Sequence, residues 1–315
     1  MIKRNATRTW ALVFGAAIAA VGCGNNEAAS PNPAPEASQP APAPAPAPAK
    51  VVIQNCGSDT MLQVAGKWSA EYGTLNPNVS VEVTGGGSGV GISNLEKGLT
   101  TIANASREMK PEEKEQAKAN TGKDPVQFIV GYDAIGIYVN KDNPITEISM
   151  EDLAAIYIEN PTITKWSQLG IKVAGNDEIV VVSRQNSSGT YEYFREHVLQ
   201  KKDFRLGMQS MSGSKDVVDL VSKTPGAIGY SGMGYKTDAV KFVSISPKKG
   251  EPAFAPSIAT VADKTYPLAR SLNMYTLGEP DADVKKYIDW VMGADGQKIL
   301  EDEGYIPLTA VQGAK

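Results

Sequence analysis

Histidine and cysteine are almost absent from this chain: one histidine, His197, and two cysteines in 315 residues. There is no His/Asp/Glu cluster at metal-ligand spacing, which argues against a structural or catalytic metal centre and calls for no cofactor. There is no Gly-x-Ser-x-Gly elbow with a matching histidine, which argues against a serine hydrolase. His197 follows Thr190 on a helical stretch and reads as a surface or packing residue. Two cysteines cannot make a disulfide framework if one of them is acylated, and Cys56, after a strand-like run, reads as a small hydrophobe. Basic runs are missing too, and the net charge is -4, so no nucleic-acid partner is expected. Heptads and internal repeats are absent. The one apolar stretch near the N-terminus, Trp10 to Val21, is too short for a membrane span.

That stretch has another use. Lys3, Arg4 and Arg8 precede it, and Ala20-Val21-Gly22-Cys23 closes it, so residues 1–22 resemble a lipoprotein signal with Cys23 as the lipidated residue. Gly24 in place of aspartate points to the outer membrane in a Gram-negative cell. Residues 23–50 are rich in Ala-Pro pairs, which form no core and favour an extended tether. The expected layout is a lipid anchor, a tether, and a globular body on the periplasmic side of a bacterial envelope.

The whole chain is 42% hydrophobic, and from Val51 on it alternates short strands with helical stripes, which predicts α/β architecture. Met61, Ala65, Trp68 and Tyr72 recur at helical spacing, and Val79, Val81 and Val83 alternate as in a strand. Lys110-Pro111-Glu112-Glu113 and Ser149-Met150-Glu151-Asp152 read as helix starts. Phe128 to Val139 reads as a long strand interrupted at Tyr132-Asp133. Trp166 reads as a packing residue, Ser271 to Thr276 as a strand, and Asp283 to Leu300 as one closing helix.

Three segments share a design: an apolar strand, a Gly/Ser/Thr-rich turn, then an amphipathic helix. They run through Gly57-Ser58-Asp59-Thr60-Met61, Thr84-Gly85-Gly86-Gly87-Ser88-Gly89, and Ser183-Arg184 to Thr190. Each turn offers free N–H groups and small hydroxyls at the positive end of a helix, which suits an oxyanion. Arg184 adds a planar guanidinium beyond the carboxyl end of a strand, where ligands of open α/β sheets sit. Gly189 lets the backbone approach closely. The glycine-rich turn lacks the Gly-Lys-Ser/Thr ending of a nucleotide loop. Taken singly, Ser58, Thr60 and Ser188 also read as plain helix caps.

These turns, together with Ala105-Ser106-Arg107-Glu108-Met109-Lys110 and Gly226-Ala227-Ile228-Gly229-Tyr230, resemble the phosphate-binding proteins of bacterial phosphate ABC transporters from Val51 to about Val311. The resemblance implies a two-lobed, type II periplasmic-binding-protein fold that closes over one dehydrated anion. It implies roles for the Thr60 hydroxyl, the Met61 N–H, the Ser88 hydroxyl, Arg184, Ser188, Gly189 and Thr190. Some members carry a proton-accepting aspartate after the Ala-Ser step; here Arg107 follows Ser106. Either Asp59, beside Ser58, takes over as acceptor, or the pocket is more basic and less selective. Asn186 replaces an aspartate that pairs with the site arginine in some members, which would leave Arg184 less neutralised.

The expected function is therefore phosphate binding in the cleft and delivery to an ABC permease by a non-catalytic monomer. A sulfate or molybdate receptor, or a phosphatase-like hydrolase, is the alternative. Lobe one is expected over 51–139 and 240–315, and lobe two over 140–239.

Overall fold

The computed structural model describes residues 50–175 and 177–312, all within one contact unit, Pro48–Lys315. The signal segment, Cys23 and the tether up to residue 49 lie outside the described residues.

The chain opens on β1 (Val51–Gly57), α1 (Leu62–Leu75), β2 (Val79–Thr84), α2 (Ser88–Glu96), β3 (Ile102–Ala105) and α3 (Pro111–Thr121). β1 pairs in parallel with both β2 and β3. Parallel neighbours need a crossover helix, which α1 and α2 supply. Val64, Ala65, Trp68 and Tyr72 form the buried face of α1, with Ala65, Trp68 and Tyr72 about one helical turn apart. The Trp68 indole donates to the Gly296 carbonyl at 2.8 Å, and the Tyr72 ring meets Tyr287 edge-on at 5.1 Å. Rings of this size each stabilise by about 1.5–3 kcal/mol when taken out of water. α3 starts where expected: Pro111 stands in its first turn and Glu113 Oε2 accepts from the Lys110 N–H at 2.8 Å.

β4 (Pro125–Asn140) then runs 16 residues. The expected interruption at Tyr132-Asp133 does not occur. The Asp133 carboxylate is fully buried but receives the Arg270 guanidinium and the Met233 N–H, so a charge inside the strand costs no break. β5 (Glu147–Ser149), α4 (Met150–Tyr157), β6 (Val180–Arg184), α5 (Gly189–His197), β7 (Gln209–Met211), α6 (Ser214–Lys223), β8 (Ala227–Gly232), β9 (Val240–Ser246) and α7 (Ile258–Ala262) follow. Here the Ser149 hydroxyl caps α4 by accepting from the Asp152 N–H at 3.0 Å. Trp166 is fully buried, its indole donating to Gly226 at 3.0 Å. β10 (Ala269–Leu277), α8 (Ala282–Met292), α9 (Ala294–Asp302) and α10 (Leu308–Gln312) close the chain. The single closing helix expected over 283–300 is two helices. Gly293 separates them with extended backbone, φ -79° and ψ 178°.

The main strand order is β2-β1-β3-β10-β4-β8-β6-β7, with β9 on β4 and β5 on β9. β10 runs antiparallel to both β3 and β4. Two of the hydrophobic clusters on the sheet are the largest. The first holds Ile53, Trp68, Val130, Leu272, Tyr287 and Tyr305; the second holds Ala134, Tyr157, Phe194, Tyr230, Val243 and Leu268. The chain therefore crosses between these cores three times: in β4 between Val130 and Ala134, near the start of β10 between Leu268 and Leu272, and between Tyr305 and Ile306. Residues Val240, Val243, Ile245, Val261 and Tyr266 pack on the second side.

Candidate functional site

The three turns meet. α1, α2 and α5 start beside one another, with α1 on the first core, α5 on the second, and α2 on a smaller cluster with Ala103, Ala105 and Tyr275. Thr60 Oγ1, before α1, lies 2.9 Å from Thr190 Oγ1 in the first turn of α5. The Gly89 N–H, in the first turn of α2, donates to the Ser187 carbonyl at 2.9 Å. Gly189 sits against the start of α2 so closely that a Cβ there would lie 2.3 Å from Ser88 Oγ and 2.9 Å from Ser106 Oγ. Ser88 Oγ in turn accepts from the Ser106 N–H at 3.0 Å. Small residues at these positions are a packing requirement as well as a supply of donors.

Neither Ser58 nor Thr60 caps α1. The cap position belongs to Met61, which makes no side-chain cap, and the Met61 N–H donates to the Ser58 carbonyl at 3.1 Å. The Thr60 hydroxyl is thereby left to face Thr190, and the buried Ser58 hydroxyl has no partner. Ser188 does cap α5, accepting from the Thr190 and Tyr191 N–H groups at 3.1 and 3.4 Å. Two tyrosines hold the first turn in place: Tyr305 donates to the Thr60 carbonyl at 2.5 Å and Tyr235 to the Asp59 carbonyl at 2.6 Å.

The Arg184 guanidinium is completely buried at the carboxyl end of β6. Nη1 donates to Ser214 Oγ at 2.9 Å; Nη2 donates to Asp59 Oδ2 at 2.9 Å and to the Ser212 carbonyl at 3.0 Å; Nε has no partner. Burial pulls this guanidinium below its ordinary value, and the Asp59 charge opposes that pull. The expectation that Asn186 leaves Arg184 less neutralised is corrected here. The compensating carboxylate comes from the opposite core, which no local pattern around Arg184 could indicate. Asp59 is also held by the Gly86 N–H at 2.8 Å, so the first and second turns are joined through its side chain.

Arg107 is not brought to this cluster. Its guanidinium forks onto Glu113 at 2.6 and 2.8 Å and donates to the Glu108 carbonyl. Burial lowers the Arg107 value, but Glu113, joined by the charges of Glu192 and Glu196, more than offsets it and leaves it raised.

One buried arginine beside the cluster escaped the sequence reading. Arg270, on β10, lies with a 1% exposed side chain against the fully buried Asp133. Its Nη2 also donates to Thr60 Oγ1 at 3.2 Å and Thr190 Oγ1 at 3.0 Å, while its Nη1 is buried without a partner. Burial raises the Asp133 carboxyl, with Arg270 acting against the rise. The sequence signal was available but faint: an arginine and an aspartate inside runs that read as buried strands.

His197 lies stacked on Tyr193 at 3.7 Å, its Nδ1 2.9 Å from the Tyr193 carbonyl oxygen. Cys56 is buried, with the Asn94 amide 3.5 Å from its sulfur. Among the described residues no group of three or more His, Cys, Asp or Glu could hold a metal ion, and no helix is long and apolar enough to cross a membrane.

Residues 42–295 match the model of the PBP superfamily domain. The chain is 34% identical over 269 residues to the phosphate-binding protein PstS of Pseudomonas aeruginosa, covering 82% of this chain and 83% of that one. It is 33% identical to the PstS of Bacillus subtilis, covering 80% and 79%. A Clostridium perfringens structure with bound phosphate superposes with a TM-score of 0.71 at 29% identity, covering 82% of this chain and 99% of the other. An ABC-type phosphate transport receptor from Vibrio cholerae gives 0.64 at 27% identity, covering 81% and 99%. The two-lobed α/β fold expected from the resemblance is the fold of these neighbours.

Proposed function

Because the chain belongs to the PstS family of the PBP superfamily, we propose that it binds inorganic phosphate between its two lobes and delivers it to an ABC permease. One observation carries this reading. Donors from both cores meet where α1 and α5 start, and three buried polar atoms of the residues there, Ser58 Oγ, Arg184 Nε and Arg270 Nη1, have no partner among the described residues. An oxyanion accepts such bonds from many directions at once.

Residue by residue, Thr60, Ser88 and Ser106 serve from lobe one, and Arg184, Gly189 and Thr190 from lobe two. Ser188 acts by capping α5 and aiming its first N–H groups. Asp59 neutralises Arg184 and, with its remaining lone pairs, takes the proton of hydrogen phosphate. Ser58 supplies its hydroxyl, and Met61 acts by fixing the turn. Closure is a hinge motion in β4 at 131–133 and in β10 at 269–271, inside the boundaries at 139 and 240 expected from sequence. We further read the chain as a monomer, anchored through Cys23 on the periplasmic side, without catalytic activity.

The test is isothermal titration calorimetry on protein freed of bound anion by unfolding and refolding. Tight one-to-one phosphate binding with no response to excess sulfate is expected. Sulfate binding of equal strength would defeat the Asp59 assignment, since a site built around one hydrogen bond rejects the analogue lacking it by about four to five orders of magnitude. Hydrolysis of a chromogenic phosphate ester would overturn the non-catalytic reading.

A further inference from the structure

Arg270 is more than a buried counter-ion. A guanidinium is planar, with five N–H donors on fixed edges. On its side edge, Nε and Nη2 donate to Asp133 Oδ2 at 3.0 and 2.7 Å. The other Asp133 oxygen accepts from the Met233 N–H at 3.0 Å, so the aspartate is satisfied without Nη1. The end edge carries the second Nη2 hydrogen and a parallel Nη1 hydrogen. Nη2 reaches Thr60 Oγ1 and Thr190 Oγ1, one hydroxyl from each lobe. Since the two hydrogens are parallel, Nη1 faces the same side as those hydroxyls. It is buried and unpartnered. A buried donor without an acceptor is costly and calls for an explanation.

We propose that Arg270 is a second arginine ligand of the anion, donating through Nη1 beside Thr60 and Thr190. This rests on the phosphate reading and deepens it. The anion then lies between two ion pairs, Asp59–Arg184 and Asp133–Arg270, each internally neutral. Their placement differs. Asp59–Arg184 spans the lobes and forms only when they close. Asp133–Arg270 joins the two strands that cross between cores, so it persists in an open form and offers the anion its first fixed guanidinium.

The test compares phosphate titrations of the full-length wild type, the double variant Asp133→Asn/Arg270→Gln, which leaves no lone buried charge, and Arg270→Lys. The double variant is expected to lose at least about 30-fold in phosphate affinity, the scale of a lost charge-assisted donor in a desolvated site. Arg270→Lys keeps the charge beside Asp133 but not the fork, and is expected to lose about tenfold or more with little change in the melting temperature of the phosphate-free protein. Variants that bind within about threefold of a phosphate-binding wild type would overturn this proposal alone, and Arg270→Lys decides the matter if the double variant does not fold. A wild type that ignores phosphate would overturn the receptor reading and this proposal with it.

Discussion

The dipeptide Ser-Arg occurs twice at the carboxyl end of a buried strand: Ser106-Arg107 after β3 and Ser183-Arg184 at the end of β6. In both cases the serine and the arginine are buried. What differs is the counter-charge. Arg107 finds Glu113 six residues on, at the start of the next helix. Arg184 finds Asp59, 125 residues away in the other lobe. A local partner saturates one guanidinium within its own lobe. A remote partner holds the other where the start of α1 meets the end of β6. One sequence pattern thus gives one guanidinium paired within its own segment and another paired across the sequence with the turn before α1.

The largest expected effect comes from breaking the remote pair. Arg184→Gln removes a fully buried donor and strands Asp59. A loss of one partner of such a pair costs about 2–5 kcal/mol, so phosphate affinity should fall by about 30-fold to several thousand-fold in calorimetry. Retained affinity would place the anion elsewhere.

Next is Gly189→Ala. The new Cβ would meet not only Ser88 Oγ, which could rotate, but also Ser88 Cβ at 2.9 Å. Closure is obstructed while each lobe keeps its core, so affinity should drop by about tenfold or more, and overpacking of this kind costs about 1–3 kcal/mol. Small-angle scattering should show less compaction on adding phosphate than in the wild type.

Arg107→Gln sharpens the comparison from the other side. It leaves the half-buried Glu113 without its fork and should cost about 1–3 kcal/mol of stability in denaturant unfolding, while phosphate affinity changes by less than about threefold. A tenfold loss of affinity would mean that Arg107 reaches the anion after all.

The smallest effect is a pH dependence. Burial alone would raise the Glu113 carboxyl, but Arg107 and the Lys110 N–H more than offset it and hold it below its ordinary 4.5. A depressed carboxyl contributes stability that is present above the unfolded-state value and is lost as pH falls through the folded one. The difference in melting temperature between wild type and Glu113→Gln should therefore be largest near neutral pH and shrink below about pH 4.5. A gap that stays constant into acid would show that the pair contributes nothing through ionisation.

Much of the fold was legible because periodicity and turn chemistry act locally. The helical stripe of Ala65, Trp68 and Tyr72, with Met61 at the cap just before it, the α3 start at Pro111 and the Ser149 cap all stand where the pattern places them. The misses have physical causes. A charged residue inside an apolar run looks like a break, yet Asp133 lies within β4 because Arg270 and Met233 satisfy it. A continuous apolar stripe looks like one helix, yet Gly293 turns the chain between α8 and α9. The serines and threonines of the first turn looked like caps, yet Thr60 turns to Thr190 instead.

By itself, the sequence determined the α/β alternation, the strand–turn–helix units and the donor-rich turns, since each depends on neighbours a few residues apart. Only the tertiary structure decided which charges neutralise which. Arg184 pairs with Asp59, Arg107 with Glu113, and Arg270 with Asp133. Desolvating a guanidinium is costly enough that each takes the nearest carboxylate its buried position permits, and nearness in space is set by how the two lobes fold together.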